Sequence, residues 1–434
     1  MISSMGSDKR GRSYVLAGVV AIACALLAPQ FAAAAQLNCG WSVQPSADRE
    51  NVLFPDLTTR YLAGIVPAPP GGYVEIKGQF PYARYMSLQT YSSTLQTASV
   101  LHDEQIAADK GSTNPYVPGA RRNAKARSYT VKLVAGREPA TNRPPNTLYD
   151  TNTDGSKTGH ALAYRIYLPD RGKWPLGGVP DPQLTIVMPG GQRIPLPQCP
   201  DLIDVGLTGL MAGAGFDVPL PTQAAPVLGV KKPVWHRYVN APTTYALALT
   251  DNDALGPSLS GPAAQLGALA PSGLGENADN KYVYTFLSHA LGHVAVLHAK
   301  LPATPKTFDG QKVMRTGQLR YWSMCTGIRT TQTLGCLVDK DMRIDKHRMY
   351  TIVISTPPGR PDNANAACGI EWLPWGPDVQ ADVVMRNMLP AASFAQAVQK
   401  ATVGKEAATM GKYLPSITYY ANAHAFEQTG CHKR

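Results

Sequence analysis

The sequence is poor in charged residues and lacks the short motifs that mark many enzymes. Asp, Glu, Lys and Arg make up only 16% of the 434 residues, while 44% are apolar, which is typical of a folded chain with large cores. There is no G-x-S-x-G, no H-E-x-x-H, no Walker loop and no G-x-G-x-x-G after a strand. The lack of C-x-x-C argues against a thiol oxidoreductase, a zinc ribbon or attached c-type haem. These absences lower the expectation of an enzyme but do not remove it, because catalytic side chains can meet through the fold.

Long apolar runs are also absent after the N-terminus. Basic residues precede one apolar run over 14–29, and small residues follow it up to Ala35. This order predicts a secretory signal peptide over 1–35; a lipoprotein signal ending at Cys24 is the alternative. No later segment has eighteen uninterrupted apolar residues, so we expect an exported protein, periplasmic or extracellular, with no transmembrane segment after cleavage.

Removal of the signal peptide leaves six cysteines, an even number that indicates disulfides in an exported chain. Two of them bracket the first half and four lie in the second half, so we expect one bridge in the first half and two in the second. Spacing alone does not fix the pairing. The six are Cys39, Cys199, Cys325, Cys336, Cys368 and Cys431.

The net charge of +11 is the one compositional hint about partners. A basic exported protein is attracted to anionic surfaces such as acidic glycans, lipopolysaccharide phosphate or lipid headgroups. The alternative is that basic residues are scattered for solubility, because no run of five or more occurs. Nothing indicates a specific nucleic acid, and the oligomeric state stays open.

One stretch of the chain occurs twice. Residues 84–103 (RYMSLQTYSSTLQTASVLHD) align without a gap with residues 320–339 (RYWSMCTGIRTTQTLGCLVD), and nine of the twenty positions are identical. Three further blocks follow the same order, and each has the period-two pattern of a strand: 71–81 with 292–302, 127–139 with 348–361, and 164–169 with 385–390. We therefore predict a mainly β protein with two tandem β-sandwich, jelly-roll-like domains from an internal duplication, over 36–199 and 279–434.

Few helices are expected. The region 200–278 is rich in Ala, Gly, Pro and Ser, which indicates a linker or insertion with short helices. The segment 393–411 predicts one C-terminal helix, with Ser393 as its N-cap and Gly411 as its stop.

The second half carries RYWS before a hairpin, then YTIVIS, WLP and an R-x-x-LP strand. This series resembles the family of bacterial exported jelly-roll proteins that is named domain of unknown function 1214. Trp322, Trp372, Leu373 and Pro374 fit the pattern, whereas Met86 and the lack of WLP depart from it in the first half. The resemblance implies paired β-sandwiches and carries no activity with it.

The repeated arginines need partners, because an unpaired buried charge is costly. Asp103 and Asp339 are the acids retained in both copies of the repeated block, each at the far end of the returning strand. We therefore predict structural ion pairs of Arg84 with Asp103 and of Arg320 with Asp339. The alternative is that the two arginines bind an anionic ligand at the mouth of each sandwich.

Two patterns suggest metals. DTNTDG places Asp150, Asn152 and Asp154 in the order of a calcium loop, although an ordinary turn uses the same residues. His289 and His293 would approach each other only if residues 288–292 were helical. No cofactor is expected otherwise.

Aromatic residues are a further source of ligand contacts. Trp372 and Trp375 lie near a turn and Tyr413 follows later, and such side chains either stack on a ligand or close the end of a core. Together with Arg84 and Arg320, they are the candidate ligand-binding residues.

The function is not specified by these patterns. The favoured hypothesis is a protein that binds a glycan or another envelope or extracellular ligand. The alternative is an extracytoplasmic hydrolase acting on a polymer or ester without a standard nucleophile motif. Convergence of Ser, His and an acid in one cleft would favour the hydrolase, and a groove of Trp, Tyr and Arg would favour binding.

Overall fold

The computed structural model describes residues 39–46, 51, 53–92, 95–151, 158–199, 230–239, 247, 275–328 and 332–431. The predicted signal peptide over 1–35 and most of the region 200–278 lie outside these residues and stay predictions. Among the described helices, none has the length and apolar character needed to cross a membrane.

The first half forms two facing sheets. Their strand orders are β1-β7-β3-β4 and β6-β5-β2-β8-β9, and all neighbours are antiparallel except the parallel pair β5 and β6. The strands are β1 (Thr59–Ile65), β2 (Tyr73–Gln79), β3 (Ala83–Ser92), β4 (Thr97–His102), β5 (Ser128–Arg137), β6 (Thr147–Thr151), β7 (Thr158–Pro169), β8 (Gln183–Val187) and β9 (Arg193–Pro195).

The second half also forms two facing sheets, with strand orders β10-β11-β17-β13-β14 and β16-β15-β12-β18. Two short helices near the C-terminus accompany them, α1 (Glu406–Met410) and α2 (Ala423–Glu427). The strands are β10 (His236–Arg237), β11 (Asn280–Ser288), β12 (Val294–Lys300), β13 (Leu319–Ile328), β14 (Gln332–Val338), β15 (Met349–Ser355), β16 (Glu371–Pro374), β17 (Gln380–Pro390) and β18 (Ser416–Tyr420).

The two halves share their strand order. The sheet β1-β7-β3-β4 corresponds to β11-β17-β13-β14, and β6-β5-β2 corresponds to β16-β15-β12, including a parallel edge pair in each half. All four repeated blocks fall on corresponding strands. Each pair of sheets encloses its own apolar core, as the alternating patterns require, so the prediction of a mainly β protein with two sandwiches is confirmed.

The central strands β3 and β13 are buried along their whole length. One face of each strand packs in its own sandwich, and the other face lies at the junction between the two halves. Residues such as Tyr85 and Tyr321 on this second face are buried. The junction therefore has an apolar cluster of its own, and it is where polar side chains of the repeated block must find partners.

The predicted helix over 393–411 is wrong in its extent. Only Glu406–Met410 is α-helical, preceded by a 3₁₀ turn at Val398–Lys400. The Val398 amide donates to Asn387 Oδ1 (3.3 Å) instead of forming a helical bond, and Gly404 has a φ of 81°, which ends regular helix geometry. Contacts with β17 override the local helix propensity of this segment.

The three disulfides follow the predicted distribution. Cys39 pairs with Cys199 in the first half, and Cys325–Cys336 and Cys368–Cys431 lie in the second. Cys325 and Cys336 are direct partners across β13 and β14.

Candidate functional site at the junction of the two halves

The repeated arginines form ion pairs, but the predicted partners are exchanged. Arg84 Nη1 lies 3.1 Å from Asp339 Oδ1, and Arg320 Nη1 lies 3.1 Å from Asp103 Oδ1. The predicted pairing of Arg84 with Asp103 and of Arg320 with Asp339 is therefore wrong. Each arginine binds the acid of the other half, and we refer to these two contacts as the crossed ion pairs.

The exchange follows from how the halves pack. Arg84 Nη1 donates to the Arg320 carbonyl (3.3 Å) and Arg320 Nη1 lies 3.5 Å from the Arg84 carbonyl, so the starts of β3 and β13 lie side by side. Asp103 is held within its own half by the backbone amides of Met86 and Glu104 (3.0 and 2.8 Å). The guanidinium groups reach across the junction because the partner carboxylates lie there.

Both arginines of the crossed ion pairs are buried. Arg84 has 0% and Arg320 8% of its surface exposed. Burial opposes the charge of Arg320, but the carboxylates of Asp103 and Glu104 outweigh it and raise its pKa. Neither side chain is available to an outside ligand, so the alternative role of Arg84 and Arg320 in ligand binding is not supported.

In each half, the residues just before β1 or β11 also contact the other half across the junction. Tyr321 donates to Asp56 Oδ2 (2.8 Å), and Tyr85 donates to Asp279 Oδ2 (2.6 Å). Asp56 precedes β1 and Asp279 precedes β11, so the two contacts are equivalent. Tyr167 packs edge-on against both tyrosines, at ring-centroid distances of 5.5 Å from Tyr85 and 5.1 Å from Tyr321. These reciprocal contacts give the junction approximate two-fold symmetry.

The symmetry fails at one position that bears on the hydrolase hypothesis. His102 lies opposite Ser87 on paired strands, and its Nδ1 lies 3.3 Å from Asp279 Oδ1. Burial alone would lower the pKa of His102, but the hydrogen bond and charge of Asp279 outweigh it and raise that pKa. A Ser, a His and an Asp therefore lie on neighbouring positions, but no hydrogen bond joins the Ser87 hydroxyl to His102, and Ser87 is completely buried. A substrate could reach this hydroxyl only if the junction opened.

Among the described residues, one group of three side chains has the composition of a metal site: Asp56, Cys325 and Cys336. Both sulfur atoms are joined in a disulfide, and Arg386 Nη1 lies 2.8 Å from Cys325 Sγ. Thiolates are the metal ligands that cysteine provides, so this group does not offer a metal site in the oxidised chain.

The predicted aromatic contacts do not form one ligand groove. Trp375 is fully buried in the second core. Trp372 is half-buried, donates to Ser355 Oγ (3.0 Å) and is covered by Arg360 at 4.8 Å from its ring. Tyr413 packs on Phe394 at a ring distance of 5.0 Å. Each aromatic residue closes part of the second sandwich.

The predicted calcium loop is only partly described. Asp150 is buried, accepts from the Gly136 amide (3.1 Å) and lies 3.1 Å from His160 Nδ1. Asn152 and Asp154 lie outside the described residues, so the calcium site stays a prediction.

A further surface, which the repeated blocks do not predict, lies where loops of both halves meet. The Gly119 amide donates to the Met314 carbonyl (3.0 Å), and the Arg122 amide donates to the Lys312 carbonyl (2.9 Å). The chain over 117–122 thus pairs with 312–314 from the other half.

Arg122 fixes a third segment to this pair of loops. Its Nη1 donates to the Gln311 carbonyl (3.1 Å), and its Nη2 donates to Asp170 Oδ1 (2.7 Å) and the Ala83 carbonyl (3.0 Å). Arg171 then lies over the Phe308 ring at 4.8 Å. The bonds of this one buried side chain tie the three segments together.

We call the surface formed by 117–127, 170–175 and 305–315 the basic face. Seven exposed cations lie on it against one exposed acid, Asp309, and Asp309 lies 3.5 Å from Arg171. Trp174 stands among these cations with 59% of its surface exposed. The cations are Arg121, Lys125, Arg171, Lys173, Lys306, Lys312 and Arg315.

Comparisons with known proteins add no activity. No family model matches the sequence, and no curated protein matches it. An uncharacterised protein of Burkholderia cenocepacia matches with 12% identity and a TM-score of 0.44, over 87% of this chain and 80% of its own. A structural-genomics target from Vibrio parahaemolyticus matches with 13% identity and a TM-score of 0.35, over 84% of this chain and 90% of its own. Likenesses this weak carry no argument about function.

Proposed function

We propose that the protein is an extracytoplasmic binding protein for an acidic polysaccharide, held at the basic face. The observation that carries this proposal is the concentration of seven exposed cations from both halves around one exposed tryptophan. With a single exposed acid among them, most of these charges are not neutralised within the protein.

The chemistry of the basic face suits a charged sugar chain. Lys and Arg attract carboxylate or sulfate groups along a polymer and bind them more strongly at low salt. An exposed indole ring provides a flat apolar surface for a sugar ring. Backbone pairing and the bonds of Arg122 hold the loops in place before binding, which reduces the entropy lost on association.

The wider setting supports an exported protein. The chain has three disulfides, which are typical of proteins in oxidising compartments, and the N-terminal pattern is that of a secretory signal. The shared strand order supports an internal duplication and is compatible with the resemblance to domain of unknown function 1214. Two fused copies would create a basic face that one copy lacks, because its loops come from both halves.

Charge reversal on the basic face tests the proposal. We combine Arg121→Glu, Lys173→Glu and Lys312→Glu and expect the affinity for polygalacturonate to fall by roughly 100-fold or more at low salt. The reason is that each cation near an anionic surface contributes about 1 kcal/mol of binding free energy. Isothermal titration at several salt concentrations measures this loss, and the slope of affinity against salt should become shallower.

The control variant reverses two exposed cations of β5, one in the middle of the strand and one at its end. Lys132→Glu and Arg137→Glu alter exposed cations on the first sandwich away from the basic face, and we expect binding to be nearly unchanged. Neutral dextran should not bind. Equal losses per reversed charge in the two variants would contradict a specific site. Binding to phosphatidylglycerol vesicles without binding to polygalacturonate or dextran sulfate would replace the glycan by a membrane surface.

The hydrolase hypothesis remains the second candidate because Ser87 lies opposite His102 on paired strands and His102 lies beside Asp279. Its test is an ester and polysaccharide substrate screen with Ser87→Ala as the comparison. Turnover that disappears in this variant, while the free energy of unfolding is unchanged, would establish the hydrolase and show that Ser87 becomes accessible.

A further inference from the structure

The turn between β11 and β12 brings two histidines together. His289–Leu291 forms a 3₁₀ turn in which Ser288 Oγ accepts from the Ala290 amide (3.2 Å), and the His289 amide donates to the Val379 carbonyl (3.0 Å). The ring centroids of His289 and His293 lie 4.8 Å apart. The sequence favoured such an approach only with a helical turn here, and the 3₁₀ turn provides it.

Gly292 makes this return of the chain possible. Its φ is 144°, and a Cβ at this position would lie 2.6 Å from the Tyr420 carbonyl oxygen. A larger residue would force the turn away from β18. The position of His293 beside His289 is therefore set by the backbone as well as by the side chains.

The two imidazoles differ in their surroundings. His289 packs on Trp375 at a ring distance of 4.3 Å, and its buried Nε2 has no hydrogen-bond partner among the described residues. His293 is exposed at the surface. Burial, and then the neighbouring His293, lower the pKa of His289.

We propose that His289 and His293 form a binding site for a divalent first-row transition metal ion. Each ring nitrogen would lie about 2.0–2.1 Å from the ion, which places the two ring centroids roughly 4.5–5.2 Å apart for bond angles between about 90° and 109°. The observed 4.8 Å lies within this range.

The remaining ligands of such an ion would be water. Among the described residues, the one cluster of three or more His, Cys, Asp or Glu side chains is Asp56, Cys325 and Cys336, which does not include the histidine pair. A site with two imidazoles and open positions binds Cu²⁺ more tightly than Ni²⁺ or Zn²⁺, in the general order for divalent ions. Cu²⁺ is therefore the most sensitive probe, and the exposed position of His293 provides the entry path.

The experiment is a titration of the full chain, disulfides intact, with Cu²⁺ in a weakly coordinating buffer. We expect one tight equivalent and an electron paramagnetic resonance spectrum with coupling to two imidazole nitrogens. His289→Gln and His293→Gln should each weaken this equivalent at least tenfold, and Zn²⁺ should compete with Cu²⁺ for it.

His298→Gln is the matched control, because His298 is an exposed histidine of β12 that faces Thr351 Oγ1 at 3.1 Å. Its Cu²⁺ affinity should equal that of the unchanged chain. A second readout does not depend on variants: substoichiometric Cu²⁺ should broaden the imidazole NMR signals of His289 and His293 before those of other histidines. Copper affinity that survives in the double variant, or broadening that spares these two rings, would overturn the site and leave the pair as a packing contact on Trp375.

Discussion

Replacement of Asp339 by alanine is expected to destabilise the protein by about 3–5 kcal/mol, because Arg84 would keep its charge inside the junction without its carboxylate partner. Arg84 is completely buried, so water cannot take over the role of Asp339. The variant also removes the acceptor for Thr304 Oγ1, now 2.6 Å from Asp339 Oδ2. Unfolding in urea with the disulfides intact measures the loss in free energy.

Double variants that exchange the charges of an arginine and an aspartate provide a control for the crossed ion pairs. Arg84→Asp combined with Asp339→Arg keeps opposite charges together across the junction, and it should recover part of the stability lost in Arg84→Asp alone. Arg84→Asp combined with Asp103→Arg would instead place like charges against Asp339 and against Arg320, and it should lose more. If the second combination were the more stable, pairing within each half would be correct and the crossed ion pairs would not exist.

Removal of the Cys39–Cys199 disulfide is expected to cost about 5 kcal/mol if its effect is entropic. The bridge closes a loop with a sequence separation of 160 residues, and the chain-entropy relation gives larger effects for longer loops. The ends are also held by the bond from the Gly40 amide to the Pro197 carbonyl (2.8 Å) and by Trp41 Nε1 donating to the Pro182 carbonyl (2.7 Å). Denaturant unfolding of the double variant Cys39→Ala, Cys199→Ala measures the loss.

The Cys325–Cys336 bridge provides the comparison, because its sequence separation is only 11 residues. The same relation gives about 3 kcal/mol for Cys325→Ala, Cys336→Ala. A first-half variant that lost less than the second-half variant would show that local packing, and not loop closure, determines the contribution of these bridges.

Local patterns in the sequence were sufficient for the strands. Alternation of apolar residues follows directly from the geometry of a strand with one buried face, so the repeated blocks fell on corresponding strands of both halves. The segment 393–411 shows the limit of this reasoning, because its helical pattern was overruled by hydrogen bonds that Val398 and Gln399 donate to Asn387 of β17.

The contacts between the two halves could not be predicted from local sequence patterns. Arg84 was expected to need an acid, and it has one, but whether Asp103 or Asp339 supplies it depends on how the two sandwiches pack. The basic face was invisible for the same reason, since Arg121 and Lys312 are far apart in the sequence and meet only through the pairing of their loops. The spacing of His289 and His293 suggested that the two rings could be close. Whether they are close depends on the backbone turn at Gly292, which the spacing does not determine.

The sequence by itself determined the strands of the two halves, their shared order of blocks and the division of the cysteines between them, because these depend on residue type and spacing along one segment. The tertiary structure alone decided which half provides the partner for each buried arginine and which cations share a surface. A buried arginine needs an acidic partner because an unpaired buried charge is costly. Which acid lies near enough to be that partner depends on how the two sandwiches pack against each other.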